Sequence, residues 1–434
     1  GYNALTAQNN DAANHNVAVG SSAGAAITTG TENTLLGGLA GTSLTTGIRS
    51  VLLGYQAGDA LTEGQENIAV GKSALSADTL GSRATAVGKS ALANQNFTTA
   101  TQNYNVAVGY EAGKQVTTGI QNLLVGAFAG DALTDADFNT AVGYGALDSD
   151  TLGSKTTAIG RAALEQQNFT TATDSFNVAV GFEAGKQVTT GTANTLIGAT
   201  AGDALTTGSQ NVAVGRNSLS GDTLGSRAVA IGEGALFAQN FATATENYNV
   251  AVGYDAGVSV TTGIQNTIVG ALAGDALTDA DLNVAMGYLA LSADTLGSQS
   301  TAIGYKTLEN QNFTTATDSF NTAVGGGAGR QVTTGVENTL LGAVSGDALT
   351  TGIRNVSVGF ASLTSDTLGQ NSVALGYSAL FAQNFTTATN AYNVAVGANC
   401  GAAVTTGTAN TLIGGTAGDA LTTGSQNVSV GRNS

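Results

Sequence analysis

The sequence has no proline, no tryptophan, one cysteine, one histidine and few charged side chains. Proline cannot donate a backbone hydrogen bond, so its absence is typical of a chain whose N–H groups pair with neighbouring strands throughout. The lone Cys400 excludes an internal disulfide. Catalysis requires several converging groups, and the only histidine, His15, lies near the first residue. We therefore predict that the chain is not an enzyme and uses no cofactor.

Basic residues and long apolar runs are also scarce. The chain has 14 Lys and Arg against 30 Asp and Glu, a formal net charge of -16. Such a charge repels phosphate backbones, so we predict no nucleic-acid partner. No apolar run approaches the roughly 20 residues that span a bilayer, so we expect no membrane insertion by this segment.

The shifts of composition that mark domain boundaries are missing too, and a repeat takes their place. A phrase typified by Asn-Val-Ala-Val-Gly begins 24 times between positions 16 and 427. Most of these phrases open a 17-residue unit and every fourth opens a 21-residue unit, which gives a 72-residue block, as from Asn105 to Asn177. We predict one continuous repeat domain over 1–434. We expect it to be part of a longer chain, because Gly1–His15 resembles the tail of one unit and Asn427–Ser434 the head of another.

Each unit begins with a short strand that ends at a glycine. The fourth position is always a bulky aliphatic such as Val108, the second is Val, Thr, Ile or Leu, and this period of two favours a strand. The fifth position is Gly in all 24 units, as a corner with positive φ or close backbone approach requires. We predict an all-β fold: a left-handed parallel β-solenoid, or β-roll, of about 24 coils with a longer coil every fourth.

The third position of the unit carries our prediction of oligomeric state. We expect the second and fourth side chains to fill the coil interior, which turns the third outward. The third residue is Ala, Leu, Ile or Ser in every unit, as at Ala107, Leu124 and Ser357. A strand that is apolar on both faces is covered on both faces. We therefore predict a homotrimer around a common axis, with a monomeric β-helix that places small residues in its corners as the alternative.

The phrase also carries a family resemblance. The stretches 105–113 and 177–185 are similar to the head repeats of YadA-type trimeric autotransporter adhesins, which form left-handed parallel β-rolls. The stretches 167–173, 194–198 and 202–208 resemble more closely the repeats of marine phage tail fibres. The 17-residue unit favours the tail-fibre comparison. The resemblance covers essentially the whole chain and implies a trimeric fibre involved in host attachment.

Two sets of residues are candidates for a functional or structural role. The first set lies in and after the four-residue expansion of every fourth unit. It forms either an exposed adhesive ridge or a seal in which the aromatic rings pack onto the shaft: Phe97, Tyr104, Phe169, Phe176, Phe241, Tyr248, Phe313, Phe320, Phe385 and Tyr392. The second set occupies the first position of its units, where we predict a stacked amide ladder, with glycan binding as the weaker alternative: Asn33, Asn105, Asn139, Asn177, Asn211, Asn249, Asn321, Asn355 and Asn393.

Recurring aspartates and threonines have simpler interpretations. The Asp78 and Asp131 series recur once in every block, which indicates turn stabilisation, because an active site needs to occur once. Bound calcium is opposed by the absence of a Gly-Gly-x-Gly-x-Asp signature, so we predict no metal. Ice binding is opposed because the adjacent Thr117 and Thr118 should point in opposite directions.

These observations favour a structural function. We predict the shaft of a trimeric extracellular or virion fibre, similar to a phage tail fibre, that provides reach, display and host attachment. One alternative is a bacterial surface adhesin or extracellular filament of the same fold. The other is a module that binds a host cell-surface glycan or protein through the Phe/Tyr expansions.

Overall fold

The computed structural model describes residues 1–9 and 13–434, and within these ranges all regular structure is β. Twenty-four three-residue strands lie at the start of successive units and pair in parallel. The predicted fold is therefore confirmed: a parallel β-solenoid of about 24 turns, most of them formed by one 17-residue unit. The handedness stays a prediction.

The chain divides into two compact units, residues 1–213 and 214–434. The strand Val212–Val214 contains the division. The idea of one continuous domain over 1–434 stays a prediction, and each unit is described by itself.

Unit 1 contains two kinds of strand. The three-residue strands are Val17–Val19, Thr34–Leu36, Val51–Leu53, Ile68–Val70, Thr85–Val87, Val106–Val108, Leu123–Val125, Thr140–Val142, Thr157–Ile159, Val178–Val180 and Thr195–Ile197. The two-residue strands form pairs at the expansions and are Gly81–Ser82 with Thr101–Gln102 and Gly153–Ser154 with Thr173–Asp174.

Unit 2 repeats this arrangement. Its three-residue strands are Val229–Ile231, Val250–Val252, Thr267–Val269, Val284–Met286, Thr301–Ile303, Thr322–Val324, Thr339–Leu341, Val356–Val358, Val373–Leu375, Val394–Val396, Thr411–Ile413 and Val428–Val430. Its two-residue pairs are Gly225–Ser226 with Thr245–Glu246, Gly297–Ser298 with Thr317–Asp318, and Gly369–Gln370 with Thr389–Asn390.

The register places equivalent positions of successive units side by side. Val106 pairs with Leu123 across a 17-residue unit, and Thr85 pairs with Val106 across a 21-residue unit. The extra residues of the longer unit therefore bulge out between strands and leave the sheet register unchanged. Each position of the repeat consequently forms a column of side chains along the stack of coils.

The corner glycine has the strained conformation that its recurrence predicts. Gly109 has a φ of +148°, and a Cβ there would lie 2.3 Å from the carbonyl oxygen of Gly126 in the next coil. The position therefore requires glycine both for its backbone angle and for the close approach of two coils. The prediction made for the fifth position is confirmed.

The core reverses the predicted orientation of the strands. Ala107 and Leu124, at the third position, are fully buried inside their own coils, whereas the second and fourth positions face outward, with Val17 and Val19 more than half exposed. Period two was correct but its phase was wrong, because alternation alone does not say which set points inward. The interior is filled by the Ala, Leu, Ile or Ser side chains of the third position, together with those of the eighth and twelfth positions, such as Ala112 and Val116.

Candidate functional site

The first-position asparagines form a buried hydrogen-bonded ladder. The Oδ1 atom of Asn105 accepts from the backbone N–H of Asn122 in the next coil at 2.9 Å. Its Nδ2 donates to the carbonyl oxygen of Gly119 in the same coil at 2.7 Å. Asn122 repeats this pattern toward Asn139 at 2.9 Å. Each side-chain amide therefore joins two neighbouring coils and also bonds to a later residue of its own coil.

All nine predicted ladder asparagines are buried. A glycan cannot reach a row of side chains that lies inside the coil with its polar atoms already paired. The alternative that this row binds glycans is therefore wrong, and the asparagines replace backbone contacts that the tight turn cannot make.

A buried carboxylate fixes each expansion to the coil before it. The Oδ1 atom of Asp78 accepts from the N–H groups of Gly81 and Phe97, at 3.0 and 3.1 Å. Its Oδ2 accepts from Gln95 Nε2 at 2.7 Å, and Gln95 Oε1 accepts from Asn105 Nδ2 at 2.9 Å. Burial raises the pKa of Asp78. The contact between Asp and Gln recurs in the other four blocks, at Asp150–Gln167, Asp222–Gln239, Asp294–Gln311 and Asp366–Gln383.

The phenylalanines of the predicted adhesive ridge are buried by this turn. Only 5–6% of the surface of each remains exposed, so the part of the ridge hypothesis that concerns them is wrong: Phe97, Phe169, Phe241, Phe313 and Phe385. Their N–H groups bond to the buried aspartate, as at Asp150 Oδ1 and Phe169 N, 3.1 Å apart, which draws the ring into the shaft. The expectation that the ring seals the lengthened turn describes them correctly.

The aromatic residues at the exit of the expansions are different. Between 44% and 58% of their surface is exposed: Tyr104, Phe176, Tyr248, Phe320 and Tyr392. A cation from the preceding coil lies over the first three rings, as with Arg83 at 5.5 Å from the centre of Tyr104 and Lys155 at 5.3 Å from that of Phe176. The expansion supplies an acceptor for the cation, such as Gln102 for Arg83 at 2.8 Å.

A shallow cavity adjoins the first of these clusters. Its volume is about 190 Å³, and polar side chains dominate its lining: Gln65, Glu66, Ser82, Arg83, Thr101 and Gln102. The guanidinium of Arg83 is also paired with Glu66 at 2.9 Å. The cavity is smaller and more polar than the clefts of about 300–1,000 Å³ that bind small molecules, so it does not by itself define a binding site.

Residues that face outward alternate with buried ones along the strand and beyond both of its ends, and together they form a broad apolar face. Tyr104, Val106, Val108 and Tyr110 point to the same side, while Asn105 and Ala107 between them are buried. Equivalent rows are Phe138–Tyr144, Phe176–Phe182 and Tyr248–Tyr254. We call the second and fourth positions the sheet face.

The exposed aromatic residues at the sixth position were missed by the sequence analysis. Extending the period-two pattern through the corner glycine would have found them.

The threonine pairs also differ from expectation. Thr117 and Thr118 are both exposed, because they lie in a turn where side chains do not alternate as in a strand. The hydroxyl of the first threonine of a pair is used within the stack, as Thr189 donates to the carbonyl oxygen of Thr206 at 3.2 Å. The stated reason against an ice-binding array was therefore wrong, although the hydroxyls of the first column are occupied by the next coil.

Carboxylates meet on one side of unit 1. Asp131 and Asp148 occupy the same position of adjacent coils, and the pKa of Asp131 is raised to about 8 by burial and by its hydrogen bond with Asp148. Burial also raises the pKa of Asp203 and Asp275. Nowhere in residues 1–9 and 13–434 do three His, Cys, Asp or Glu side chains gather in a way that could hold a metal ion.

Comparison with known proteins adds no family. No protein-family model matches the sequence, and no curated protein matches it. In the described part of the chain, no helix is long and apolar enough to cross a membrane. The resemblance to adhesin heads and tail fibres therefore stays a prediction.

Proposed function

We propose that this chain forms the shaft of a homotrimeric extracellular or virion fibre that extends and displays an attachment structure. The observation that supports it best is the sheet face, whose Val, Ile, Leu and Thr side chains recur outward at every coil, as at Leu36, Ile68 and Leu123. Fully burying one such aliphatic side chain contributes about 1.5–3 kcal/mol. A soluble chain rarely leaves so long an apolar strip in water, so copies of the chain are its proposed cover.

The interior of the coil supports a mechanical role. Backbone hydrogen bonds and amide ladders join neighbouring coils at nearly every level. The one histidine, His15, is exposed, and no described residue forms a hydrogen bond that would activate it. Stability in such a stack is a sum of local terms between neighbours, which suits a shaft that transmits load.

Cysteine cross-linking tests the assignment of the copy interface. In a Cys400→Ala background, Val108→Cys lies on the sheet face. Gln115→Cys is also exposed but lies in a turn of the same coil, where Gln115 accepts a hydrogen bond from Asn94, and we call this the polar side. We expect oxidation to link copies through Val108→Cys and to leave Gln115→Cys unlinked. Equal linking of the two variants, or none, would remove the sheet face as the contact between copies.

The second candidate is a binding module that contacts a host glycan or protein through the exit aromatic residues. The exposed rings of Tyr104 and Tyr248, each beneath an arginine, favour it. Replacing both by Ser should abolish adhesion and leave the circular dichroism spectrum unchanged. Adhesion at the original level would end this idea. A bacterial adhesin or extracellular filament of the same fold is the alternative to a virus fibre.

A further inference from the structure

One column beside the sheet face of unit 1 combines exposed rings with cations that form no ion pair. Six residues of successive coils form what we call the ring–lysine column: Tyr55, Lys72, Lys89, Tyr110 and Tyr144 at the sixth position of their units, and Phe128 at the seventh. Backbone hydrogen bonds connect its levels, as from Ser90 N to Lys72 O and from Phe128 N to Tyr110 O, each 2.9 Å. The column is thus held at the spacing of the strands, about 4.8 Å per level.

Three rings of the column form a continuous ladder in which Tyr110 and Tyr144 are exposed and Phe128, between them, is half-buried. The centres of Tyr110 and Phe128 are 5.3 Å apart, and those of Phe128 and Tyr144 are 5.8 Å apart, in both cases edge to face. Tyr110 and Tyr144 keep 42% and 57% of their surface exposed. Successive rings that remain in water offer an apolar surface to a ligand that also runs along the stack.

The two lysines have no ion-pair partner among the described residues of unit 1. This unit contains eight Lys and Arg residues, and six of them form ion pairs. Lys72 and Lys89 are the other two, both exposed, and Lys89 Nζ lies 4.9 Å from the centre of the Tyr110 ring. Burying two such ammonium groups between copies of the chain would be costly, so the column belongs in solvent beside the copy interface.

We propose that the ring–lysine column binds a carboxylated polysaccharide lying along the coils. The C–H faces of its pyranose rings contact the exposed rings of Tyr110 and Tyr144, and its carboxylates meet Lys72 and Lys89. One pyranose ring is comparable in length to one level of the column. The inference rests on the proposed fibre function only in placing this column outside the copy interface.

Binding of polygalacturonate to the full chain tests the proposal, with fully methyl-esterified polygalacturonate as the uncharged comparison. We expect the acid polymer to bind about 5- to 10-fold more tightly than the ester. Lys72→Gln with Lys89→Gln should remove that preference. Tyr110→Ser with Tyr144→Ser should weaken the binding of both polymers by about 3- to 10-fold for each ring.

Matched variants elsewhere provide the controls. Lys114→Gln with Lys186→Gln removes the same charge from ion-paired positions, and Tyr288→Ser with Tyr305→Ser removes two stacked rings from unit 2. Both should bind as the wild type does. Equal affinity for the two polymers, a similar loss in the controls, or preferential binding of oligothymidylate would overturn the proposal. The mass of each variant in solution reports separately on the proposed assembly.

Discussion

At the scale of residues, a buried aspartate holds each longer unit against the coil before it. Asp78 accepts three hydrogen bonds, one of them from the NH2 group of Gln95, and the side-chain oxygen of Gln95 accepts a hydrogen bond from Asn105. In Asp78→Asn, the new side-chain NH2 group faces the NH2 group of Gln95, so two donors oppose each other. If the amide of Gln95 rotates to present its oxygen, its NH2 group then faces that of Asn105. One buried donor then lacks an acceptor, at a cost of about 1–3 kcal/mol. Hydrogen exchange should show faster opening around residues 95–105, whereas Asp174→Asn, at an exposed position, serves as the control.

The carboxyl pair of unit 1 predicts a dependence on pH. The pKa of Asp131 in the folded chain, about 8, is far above its ordinary value of 3.8, so the folded form binds a proton more tightly than the unfolded form. This contribution to stability is complete below pH 3.8 and is lost as pH rises toward 8. We expect this pair to lower the melting temperature as pH rises from about 4 to about 8, and to have no further effect above that range.

Asp148→Asn should reduce this dependence without abolishing it, because burial, the largest cause of the raised pKa of Asp131, remains while the neighbouring carboxylate that opposes its ionisation is removed. Asp135→Asn removes a carboxylate of the same unit that is exposed and accepts a hydrogen bond from Thr118. A melting temperature that rises over this pH range in the wild type, or an equal effect of the two variants, would contradict the assignment.

At the scale of elements, the corner glycine controls how closely two coils approach. Gly109→Ala places a Cβ against the carbonyl oxygen of Gly126, and the backbone of one coil must move. Gly145 provides a comparison, because its φ is also positive, +61°, but nothing lies within 4 Å of the added Cβ. Gly145→Ala should cost about 1–2 kcal/mol for its conformation alone. Thermal unfolding should show a clearly larger loss for Gly109→Ala, and equal losses would show that close approach does not matter.

The elements also show what the sequence could predict and why the rest was missed. The spacing of Asn105 and Asn122 and the recurring glycine were enough to predict parallel coils, because identical units stack with equivalent positions side by side. The inward direction did not follow, because Val106 and Ala107 are both apolar and alternation has no absolute phase. The separate fates of Phe97 and Tyr104 depend on the bond from Phe97 to Asp78, a contact between coils that no local pattern contains.

At the scale of the whole molecule, the proposed assembly depends on the exposed sheet face. The exposed apolar surface lies at the second and fourth positions and not at the third, where it was predicted. Its side chains, such as Val19 and Leu36, are larger than the alanines that most often occupy the third position. The proposed cover by other copies therefore lies over the second and fourth positions and not over the third.

Replacing outward aliphatic side chains by charged ones should separate assembly from folding. Val108→Lys with Val180→Lys leaves the interior of both coils intact, because both side chains point outward. We expect copies to dissociate while the circular dichroism spectrum stays that of a β-solenoid. Gln115→Lys with Gln187→Lys adds the same charge on the polar side and should leave assembly intact. Dissociation in both variants would point to charge in general rather than to the sheet face.

The mass of the chain in solution tests the central claim most directly. One chain has a mass of 42.7 kDa. Sedimentation equilibrium should give three times that mass, with no dissociation at micromolar concentration. A stable particle of 42.7 kDa would contradict the proposed trimeric fibre.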